Sequence, residues 1–209
     1  MSNIKWSGIE QWKYGLTARW YVSAYYGNDV DVDGVGYYNP STNPTGHGGP
    51  TRPFATISKL QQDSAVEIGN VCIFDSGYYT YNGALVKRMS FVGDGSVVFA
   101  NFTLPTRMSF RNATMISITS STGNLAEHKI DVTCIYCTSL SCRESLLRNS
   151  VFIETSFTGA VPLDAGSNNN VFIRCSGTLG TTISNLVLNN IFIDCHNLTV
   201  PLTAPRSTG

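Results

Sequence analysis

The sequence predicts an all-β fold, a right-handed parallel β-helix with an N-terminal capping helix. Two observations predict it: similar segments recur about every 20 residues, and each alternates β-branched or aromatic residues with other side chains. Helical repeats need roughly 33 residues or more for each unit, so a repeat this short excludes them. A single coil cannot bury its own inner face, whereas coils stacked about 4.8 Å apart share one continuous core.

The repeat is clearest near the C-terminal end of the sequence. Three segments of the pattern Asn-x-Val/Ile-Phe-Ile-x-Thr/Cys begin at Asn149, Asn169 and Asn189, at a spacing of 20 residues (169 − 149 and 189 − 169). Upstream, Arg88-Met-Ser-Phe91 and Arg107-Met-Ser-Phe110 match each other at a spacing of 19 residues (107 − 88). The alignment predicts a stacked, buried column of Phe91, Phe110, Val132, Ile153, Ile173 and Ile193.

Alternation along each strand predicts which side chains face the core. Burying a charge in an apolar column is costly, so the face that carries Glu154, Arg174 and Asp194 is expected to be the outer one. That face also carries three phenylalanines, and monomers rarely expose so large an apolar stripe. Either the chain after Val200 or, as an interface, a neighbouring subunit is expected to cover Phe152, Phe172 and Phe192.

The cysteines are expected to be structural. The repeat aligns Ile130–Cys134 with Val151–Thr155, which predicts an inward column of small side chains at Cys134, Thr155, Cys175 and Cys195. Cys134-x-x-Cys137 has no second cysteine pair, and a zinc site needs four ligands. We therefore expect buried free thiols rather than a metal site or a disulfide.

Asparagine recurs just before each of the last three strands. Asn149, Asn169 and Asn189 are expected at a bend, because Asn tolerates left-handed backbone geometry. Stacked at the same bend, their amides can also bond each other along the solenoid axis. We therefore interpret them as a structural ladder and not as a site.

Four segments are predicted along the chain. Residues 1–19 form a docking or anchor segment, 20–70 a cap with a long loop and a short helix, 71–200 the β-helix, and 201–209 a tail. The capping helix is placed within Thr51–Gln62, with Pro53 near its start. There Phe54, Ile57 and Leu60 fall at three-residue steps on one helical face.

Short motifs in the first half of the chain resemble a known family. They are Trp20-Tyr-Val-Ser23, Gly27-Asn-Asp29, Pro53-Phe-Ala-Thr-Ile57, Gly77-Tyr-Tyr-Thr80 and Phe91-Val-Gly-Asp-Gly95. Together they are similar to the opening of pectate-lyase-like β-helix proteins, a group that includes phage tail spikes and many surface polysaccharide-active proteins. The resemblance implies the fold and, through the tail spikes, a homotrimer. It is poorly specific for activity.

Candidate catalytic and metal-binding acids are few. Glycoside hydrolysis needs two carboxylates, and Glu154 and Asp194 lie two coils apart on one face, about 9.6 Å by strand spacing. Arg174 lies between them, which favours a surface charge ladder over a catalytic pair. Asp29, Asp31 and Asp33 begin like an EF-hand loop, but its twelfth position, which requires Glu, is Pro40. A looser calcium site and a solvated loop remain the alternatives there.

Charge and motifs narrow the classes of function. Lys plus Arg and Asp plus Glu are 14 each, so the formal net charge is zero and no nucleic-acid or membrane partner is expected. Walker, dinucleotide and Ser-His-Asp motifs do not occur, and no cofactor is expected. The first 20 residues lack the apolar stretch of a signal peptide. We expect synthesis in a host cytoplasm and a final location in an extracellular particle.

The leading hypothesis is a phage virion protein, a tail-spike, tail-fibre or head-fibre component. It would bind host-surface glycan or attach other virion proteins, the latter through its N-terminal segment. The main alternative is a polysaccharide-degrading β-helix enzyme, a lyase or a glycoside hydrolase. A third hypothesis is a bacterial surface adhesin. The scarcity of carboxylates in the repeats favours the non-enzymatic interpretations.

Overall fold

The chain folds as a parallel β-solenoid of about five turns, with about 19 residues in each turn. The computed structural model describes residues 19–30, 35–39, 41–68, 70–104, 108–120, 129–141, 147–158, 168–178 and 189–199. Pairing between the strands of this described part is parallel throughout, as stacked coils require. The predicted all-β solenoid and its period are therefore confirmed.

The described elements form two parallel sheets and one short helix. In chain order they are β1 (Arg19–Val22), α1 (Ile57–Gln62), β2 (Val71–Ala84), β3 (Ser90–Leu104), β4 (Ser109–Ile116), β5 (Thr119–Ser120), β6 (Lys129–Ile135), β7 (Leu140–Ser141), β8 (Leu147–Arg148), β9 (Val151–Ile153), β10 (Ser156–Thr158), β11 (Val171–Ile173), β12 (Ser176–Thr178), β13 (Ile191–Ile193) and β14 (Leu198–Thr199). The large sheet has the order β1-β2-β3-β4-β6-β9-β11-β13, with β5 on β3 and β8 on β6. The second sheet has the order β14-β12-β10-β7.

Helix α1 packs its apolar face on the core beside the first coils. Ile57 and Leu60 are fully buried, as expected for a capping helix. The helix begins later than the sequence predicts, because Thr56 is its N-cap and its hydroxyl accepts a hydrogen bond from the Lys59 amide. Phe54 therefore lies before the helix, where its backbone pairs with Val22 of β1 and its ring is still buried.

The N-terminal half of the predicted register is correct. Ser90 pairs with Ser109 and Phe91 with Phe110, and the two buried phenylalanine rings lie 5.5 Å apart. At the other end of the predicted column, Ile153, Ile173 and Ile193 also pair in register, so the alignment fails only at the link between the two ends. Val132 pairs with Ala113 and is not in line with Phe110, which instead pairs with Lys129.

The inward and outward faces of the last three coils are the reverse of the prediction. Phe152 and Phe172 are buried, at 0% and 1% exposure, and Phe192 stacks on Phe172 from the last described coil. Ile153 and Ile173 are half-buried on the outer face, whereas the sequence predicts them in the core. The proposed outward interface is therefore wrong for Phe152 and Phe172, whose rings lie in the core, and the exposed ring of Phe192 continues their stack.

The reversal has a backbone cause. Glu154, Arg174 and Asp194 have φ values of 45°, 49° and 49°, so each lies in the left-handed region at a corner of its coil. Strict alternation ends at such a residue, because the chain turns there. The charged side chain is thus exposed at the corner, while Phe152 before it and Thr155 after it both point inward.

Asparagines form the opposite corner of the same strands. Asn149, Asn169 and Asn189 have φ values of 50°, 56° and 58°. Along the axis, the side-chain Nδ2 of Asn169 donates to Asn149 Oδ1 at 3.3 Å. The side-chain Nδ2 of Asn149 donates to Asp131 Oδ1 at 3.1 Å. The predicted asparagine ladder is confirmed for these two coils, and Asp131 continues it upstream with a φ of 55°.

A second polar ladder lies inside the solenoid, and the sequence prediction missed it. Ser150 and Asn170 are buried one position after the corner. Asn170 Oδ1 accepts from the Ser150 amide at 3.0 Å, and its side-chain nitrogen donates to the Leu147 carbonyl and to Asn190 Oδ1 at 2.9 Å. Buried polar groups need hydrogen-bond partners, and here the partners come from the neighbouring coils.

The predicted inward column of small side chains lies inside the solenoid, but Cys137 takes the place predicted for Cys134. Matching backbone bonds, from Ser156 to the Cys137 carbonyl and from Ser176 to the Thr155 carbonyl, align Cys137, Thr155 and Cys175. Cys134 is also buried but lies under Phe152, three residues away from the predicted alignment. Cys72, Cys134, Cys137, Cys175 and Cys195 are free thiols, as predicted.

The last described coil has an open outer side. Ile191, Phe192 and Ile193 are 55%, 41% and 43% exposed, whereas the equivalent residues one coil earlier are mostly covered. Phe192 is exposed because it has a stacking ring on only one side within the described residues. The predicted docking segment before Arg19, Cys142 and the tail 201–209 lie outside those residues.

Candidate functional site

Glu154, one of the two candidate acids of the repeats, is engaged at an exposed corner. Arg174 donates through Nε and Nη2 to Glu154 Oε1, at 2.9 and 2.6 Å. Both side chains are more than a third exposed, so the pair contributes at most about 1 kcal/mol. The predicted charge ladder of Glu154, Arg174 and Asp194 is confirmed for its first pair, whereas Asp194 makes no ion pair within the described residues. A carboxylate held by arginine in open solvent is a poor general acid, because that role needs a raised pKa.

A shallow polar groove crosses the outer face of β3, β4 and β6. Its lining is neutral apart from Asp131, and includes Ser96, Asn112 and Thr133. Asp131 accepts a hydrogen bond from the Asn149 amide. Hydrolysis or elimination at a sugar needs a second acid or a base beside the first, and the lining does not supply one.

The candidate calcium loop has a structural role at its first acid. Asp29 Oδ1 accepts from the amides of Ala55 and Thr56, at 2.7 and 3.2 Å, and Oδ2 accepts from the Thr56 hydroxyl at 2.5 Å. Both carboxylate oxygens thus hold the chain that enters α1. Asp31 and Asp33 lie outside the described residues. Within the described ranges, no group of three or more His, Cys, Asp and Glu side chains could hold a metal ion.

A cavity of about 230 Å³ opens beside this loop, in the cap. Its lining combines one cation, an aromatic ring and several hydrogen-bonding side chains with apolar walls: Tyr26, Asn28, Val30, Val35, His47, Thr51, Arg52 and Pro53. His47 Nε2 lies 2.6 Å from the Asn28 carbonyl oxygen, so this nitrogen carries the proton. The contact joins the Gly-rich loop to the strand-to-loop turn on the other side of the cavity.

Two neighbouring tyrosines protrude at the rim. Tyr25 and Tyr26 are 82% and 50% exposed, and their ring centroids lie 4.7 Å apart in an edge-to-face arrangement. Exposed rings of this size cost hydration free energy, so they are common where a surface binds something. The pair occupies the turn that directly follows β1.

A partly buried hydrogen-bond network holds that turn. Asp75 on β2 accepts from the Ser23 hydroxyl and from the Tyr79 hydroxyl, both at 2.5 Å. Ser23 Oγ in turn accepts from the Tyr26 amide at 2.8 Å, and Tyr79 Oη accepts from the Ala24 amide at 3.0 Å. Burial and the hydrogen bond to Asp75 raise the pKa of Tyr79 well above its usual range, so its proton stays in place.

The cap is also tied to the solenoid away from the cavity. Trp20 donates from its indole nitrogen to Asn70 Oδ1 at 2.7 Å, and Gln61 Oε1 accepts from the amides of Val86 and Lys87. The Lys87 ammonium reaches the carbonyls of Leu60 and Asp63 at the end of α1. Desolvation lowers the pKa of Lys87. These contacts hold β1 and α1 on the first coils of the solenoid.

Sequence reasoning did not find this site. Tyr26 lies in one loop and the adjacent residues Thr51 and Arg52 in another, and no fixed spacing links the two loops. A tyrosine pair in the short segment Ser23–Gly27, directly after a strand, is the one local signal that marks the turn. Asp75, an acid directly after the apolar run Val71-Cys-Ile-Phe74, is a second signal that a partner exists.

Comparison with known proteins identifies no relative. No protein-family model matches the chain, and neither a curated protein nor a solved structure matches it. Within the described ranges, the helix has six residues, far fewer than a membrane crossing requires. The site must therefore be interpreted from its own geometry.

Proposed function

We propose that the chain is a structural component of a phage virion, a tail spike, tail fibre or head fibre, that binds host-surface polysaccharide without cleaving it. The observation that carries the proposal is the cap cavity, where Tyr26 and Arg52 lie beside neutral hydrogen-bonding groups on a rigid solenoid. Sugar rings offer polarised C–H faces to aromatic rings and hydroxyls to polar side chains, and this lining provides both.

The solenoid supports binding rather than turnover. Its outer charges, Glu154 and Arg174, neutralise each other, and the groove over β4 has Asp131 as its carboxylate. Rigid ladders of hydrogen bonds and stacked rings suit a particle that must persist outside a cell. The resemblance to tail spikes gives the particle class, and the cavity gives the ligand class.

The proposal includes assembly as a homotrimer. An outward stripe supports self-association: Ile116, Ile135, Ile153, Ile173 and Ile193 stack in register on the large sheet. All of these side chains are partly exposed, and so long an apolar stripe on the outer face favours a partner. The number three comes from the resemblance to tail spikes. The stripe replaces the phenylalanines as the proposed contact surface.

A binding panel tests the glycan part of the proposal. Capsular and cell-wall polysaccharides are titrated calorimetrically into the purified chain, and Tyr26→Ala is compared with Tyr136→Ala, an equally exposed tyrosine at a solenoid corner. We expect Tyr26→Ala to weaken binding at least about fivefold and Tyr136→Ala to leave it unchanged. Equal effects of the two variants would contradict the cavity as the site.

Two further measurements separate the proposed class from its alternatives. Released oligosaccharides, detected by chromatography after incubation with the polysaccharide that binds, would overturn the non-enzymatic proposal in favour of a degrading enzyme. Antibodies raised against the purified chain should label intact phage particles in electron micrographs. Labelling of a bacterial surface in place of particles would indicate an adhesin.

A further inference from the structure

We propose that the polar groove over β3, β4 and β6 binds an acetamido sugar, a sugar unit that carries an N-acetylated amine. The groove shares no lining residue with the cap cavity, so it adds a second site to the proposed function. The inference rests on that function for the choice of a glycan. It follows from the shape of the groove, from a break in the corner ladder beside it, and from the groups on its other side.

A bulge in β3 forms one wall of the groove. Between the paired positions that flank it, β3 has five residues (93–97) where β4 has two (112 and 113). The bulge is held in place because the Ser76 hydroxyl accepts from the Ser96 amide at 3.1 Å. From β3 to β6 the groove crosses two strand spacings, about 9.6 Å. Its volume of about 240 Å³ suits one sugar ring, since pockets for larger ligands are usually about 300 Å³ or more.

The corner ladder is interrupted at this groove. Asn112 and Asp131 occupy the same left-handed corner on neighbouring coils, with φ values of 49° and 55°, directly before the paired residues Ala113 and Val132. The side-chain Nδ2 of Asn112 is committed elsewhere, because it donates to the Gly93 carbonyl at 2.9 Å. A carboxylate has no proton to donate in return, so no ladder bond joins Asn112 to Asp131.

Two acceptors are therefore left without a donor. Asp131 Oδ1 accepts from Asn149, whereas Asp131 Oδ2 and Asn112 Oδ1 accept no hydrogen bond within the part of the chain that the structure describes. One coil later the equivalent acceptor, Asn149 Oδ1, is used by Asn169. A ligand that donates to the open pair continues the ladder, and the N–H of an acetamido group is such a donor.

Hydroxyls line the other side of the groove. Thr114 and Thr133 are paired neighbours on β4 and β6, each two residues after one of the open acceptors. Their hydroxyls make no hydrogen bond to any described residue, so both can donate to a ligand. Two strand residues cover about 6.6 Å. A secondary amide that donates on one side and accepts on the other spans a similar distance, because each of its hydrogen bonds is about 2.9 Å long.

Apolar surface completes the match to an acetamido group. Ala113 lies between the acceptors and the hydroxyls, and Val98 is paired with Thr114 on the outer face. The methyl of an acetamido group can pack on these side chains, whereas a sugar hydroxyl in its place leaves them without an apolar contact. The arrangement is local, because Val151 takes the place of Thr133 one coil later and supplies no hydroxyl.

The test uses matched neutral ligands on the full chain. A β-linked tetrasaccharide of N-acetylglucosamine is compared calorimetrically with the same tetrasaccharide of glucose, in which a hydroxyl replaces each acetamido group. We expect the acetylated ligand to bind about tenfold or more tightly. The preference should persist in Tyr26→Ala, which weakens the cap cavity. It should also change little with salt, because neither ligand is charged.

Variants assign the preference to the groove. Asp131→Asn keeps an oxygen for Asn149 but presents an NH₂ group where the ligand needs an acceptor, and Thr133→Val removes one hydroxyl at nearly constant shape. Each should reduce the preference at least about fivefold. Asp194→Asn, at an exposed left-handed corner, and Thr178→Val on β12 are the matched controls and should not change it. Circular dichroism checks that every variant is folded.

The outcomes separate this inference from the proposed function. Equal binding of the two tetrasaccharides, loss of the preference in Tyr26→Ala, or equal effects of Asp131→Asn and Asp194→Asn would overturn the groove as an acetamido-sugar site. Equally tight binding of N-acetylalanine methylamide, which has the amide without the sugar ring, would assign the groove to peptides instead. In each of these cases glycan binding at the cap cavity stands. If no polysaccharide of the earlier panel binds either, the proposed function is wrong as well.

Discussion

The ring of Phe172 lies parallel to the ring of Phe152 in the neighbouring coil, with centroids 5.0 Å apart and 9° between the ring planes. Phe157 meets both rings edge-on, at 5.3 and 5.8 Å. Offset-stacked and edge-to-face pairs of this kind add to the gain from burial. This cluster fills the interior where the sequence predicts isoleucine.

Truncating the stacked ring should therefore destabilise the solenoid more than truncating its outward neighbour. We expect Phe172→Ala to lower the free energy of unfolding by about 3–5 kcal/mol, because it leaves a cavity in the core. Ile173→Ala, its matched control on the outer face, should cost about 1 kcal/mol. Denaturant unfolding curves measure both. A larger loss in Ile173→Ala than in Phe172→Ala would instead support the faces predicted from sequence, with the isoleucine in the core.

The asparagine corners predict a graded response. Asn169→Ala should cost about 1–2 kcal/mol, since alanine is strained in the left-handed region and the bond to Asn149 is lost. Asn169→Gly removes only the amide bond and should cost about half as much, as glycine adopts that region freely. Thermal unfolding of the two variants checks the order. Identical losses would mean that backbone geometry contributes nothing at this corner.

Buried thiols predict the response to alkali. Burial raises the pKa of the Cys175 thiol from 9.0 to about 11, so the folded chain favours the protonated form. Its contribution to stability is therefore complete below pH 9 and is lost as the pH rises towards about 11. Unfolding curves between these values should show a smaller loss in Cys175→Ala than in the parent chain.

The same thiols should differ in reactivity. At pH 8 iodoacetamide should modify the half-buried Cys195 before Cys175 or Cys72, because the reagent needs an accessible thiolate. Peptide mass spectrometry follows the order of labelling. Detection of a Cys175–Cys195 disulfide in the native protein would contradict the free thiols described above.

The turn at the cavity rim depends on the hydroxyl of the buried Tyr79. Tyr79→Phe removes the proton donated to Asp75 and the acceptor of the Ala24 amide, and should cost about 1–3 kcal/mol. We also expect weaker glycan binding, because Tyr26 lies in the turn that this network holds. Tyr78→Phe, next to it and 57% exposed, is the control. Calorimetric titration of both variants would show equal affinities if the network does not position the turn.

Assembly is tested on the outward stripe. If copies associate through the isoleucines, Ile153→Lys should shift the mass measured by light scattering from trimer to monomer, with little loss of fold. Phe152→Lys is a contrasting variant and should unfold the coil, because the ring is buried. A parent chain that is monomeric at all accessible concentrations would refute the trimer.

The repeat length and the asparagine corners were predictable from sequence, because the same residue types recur in successive coils. Asn149, Asn169 and the Arg-Met-Ser-Phe motif each signal a position in the coil through residue type. The corner after Ile153 gives no such signal, since Tyr136, Glu154 and Arg174 share the left-handed conformation without sharing chemistry. Because that turn has no signal in the sequence, the alternation rule assigns the corner charge to a face of the strand and so predicts the two faces in reverse.

The cap cavity was beyond sequence reasoning for a different reason. His47, Arg52 and Tyr26 are brought together by loops whose path depends on buried bonds, such as those of Asp29 and Asp75. No periodic pattern governs such loops. The position of Arg52 at the cavity follows only from the three-dimensional path of these loops.

The identical register of β9, β11 and β13 makes the length of the solenoid an independent property of this molecule. Val151 to Ile153 occupy the same positions as Val171 to Ile173 one layer away, with equivalent bonds above and below. Removing residues 151–170 would thus join compatible layers and shorten the column by one strand spacing, about 4.8 Å. Coils of this kind can be added or removed singly. The distance from the cap to the far end would then change by whole layers, while the cavity in the cap stays the same.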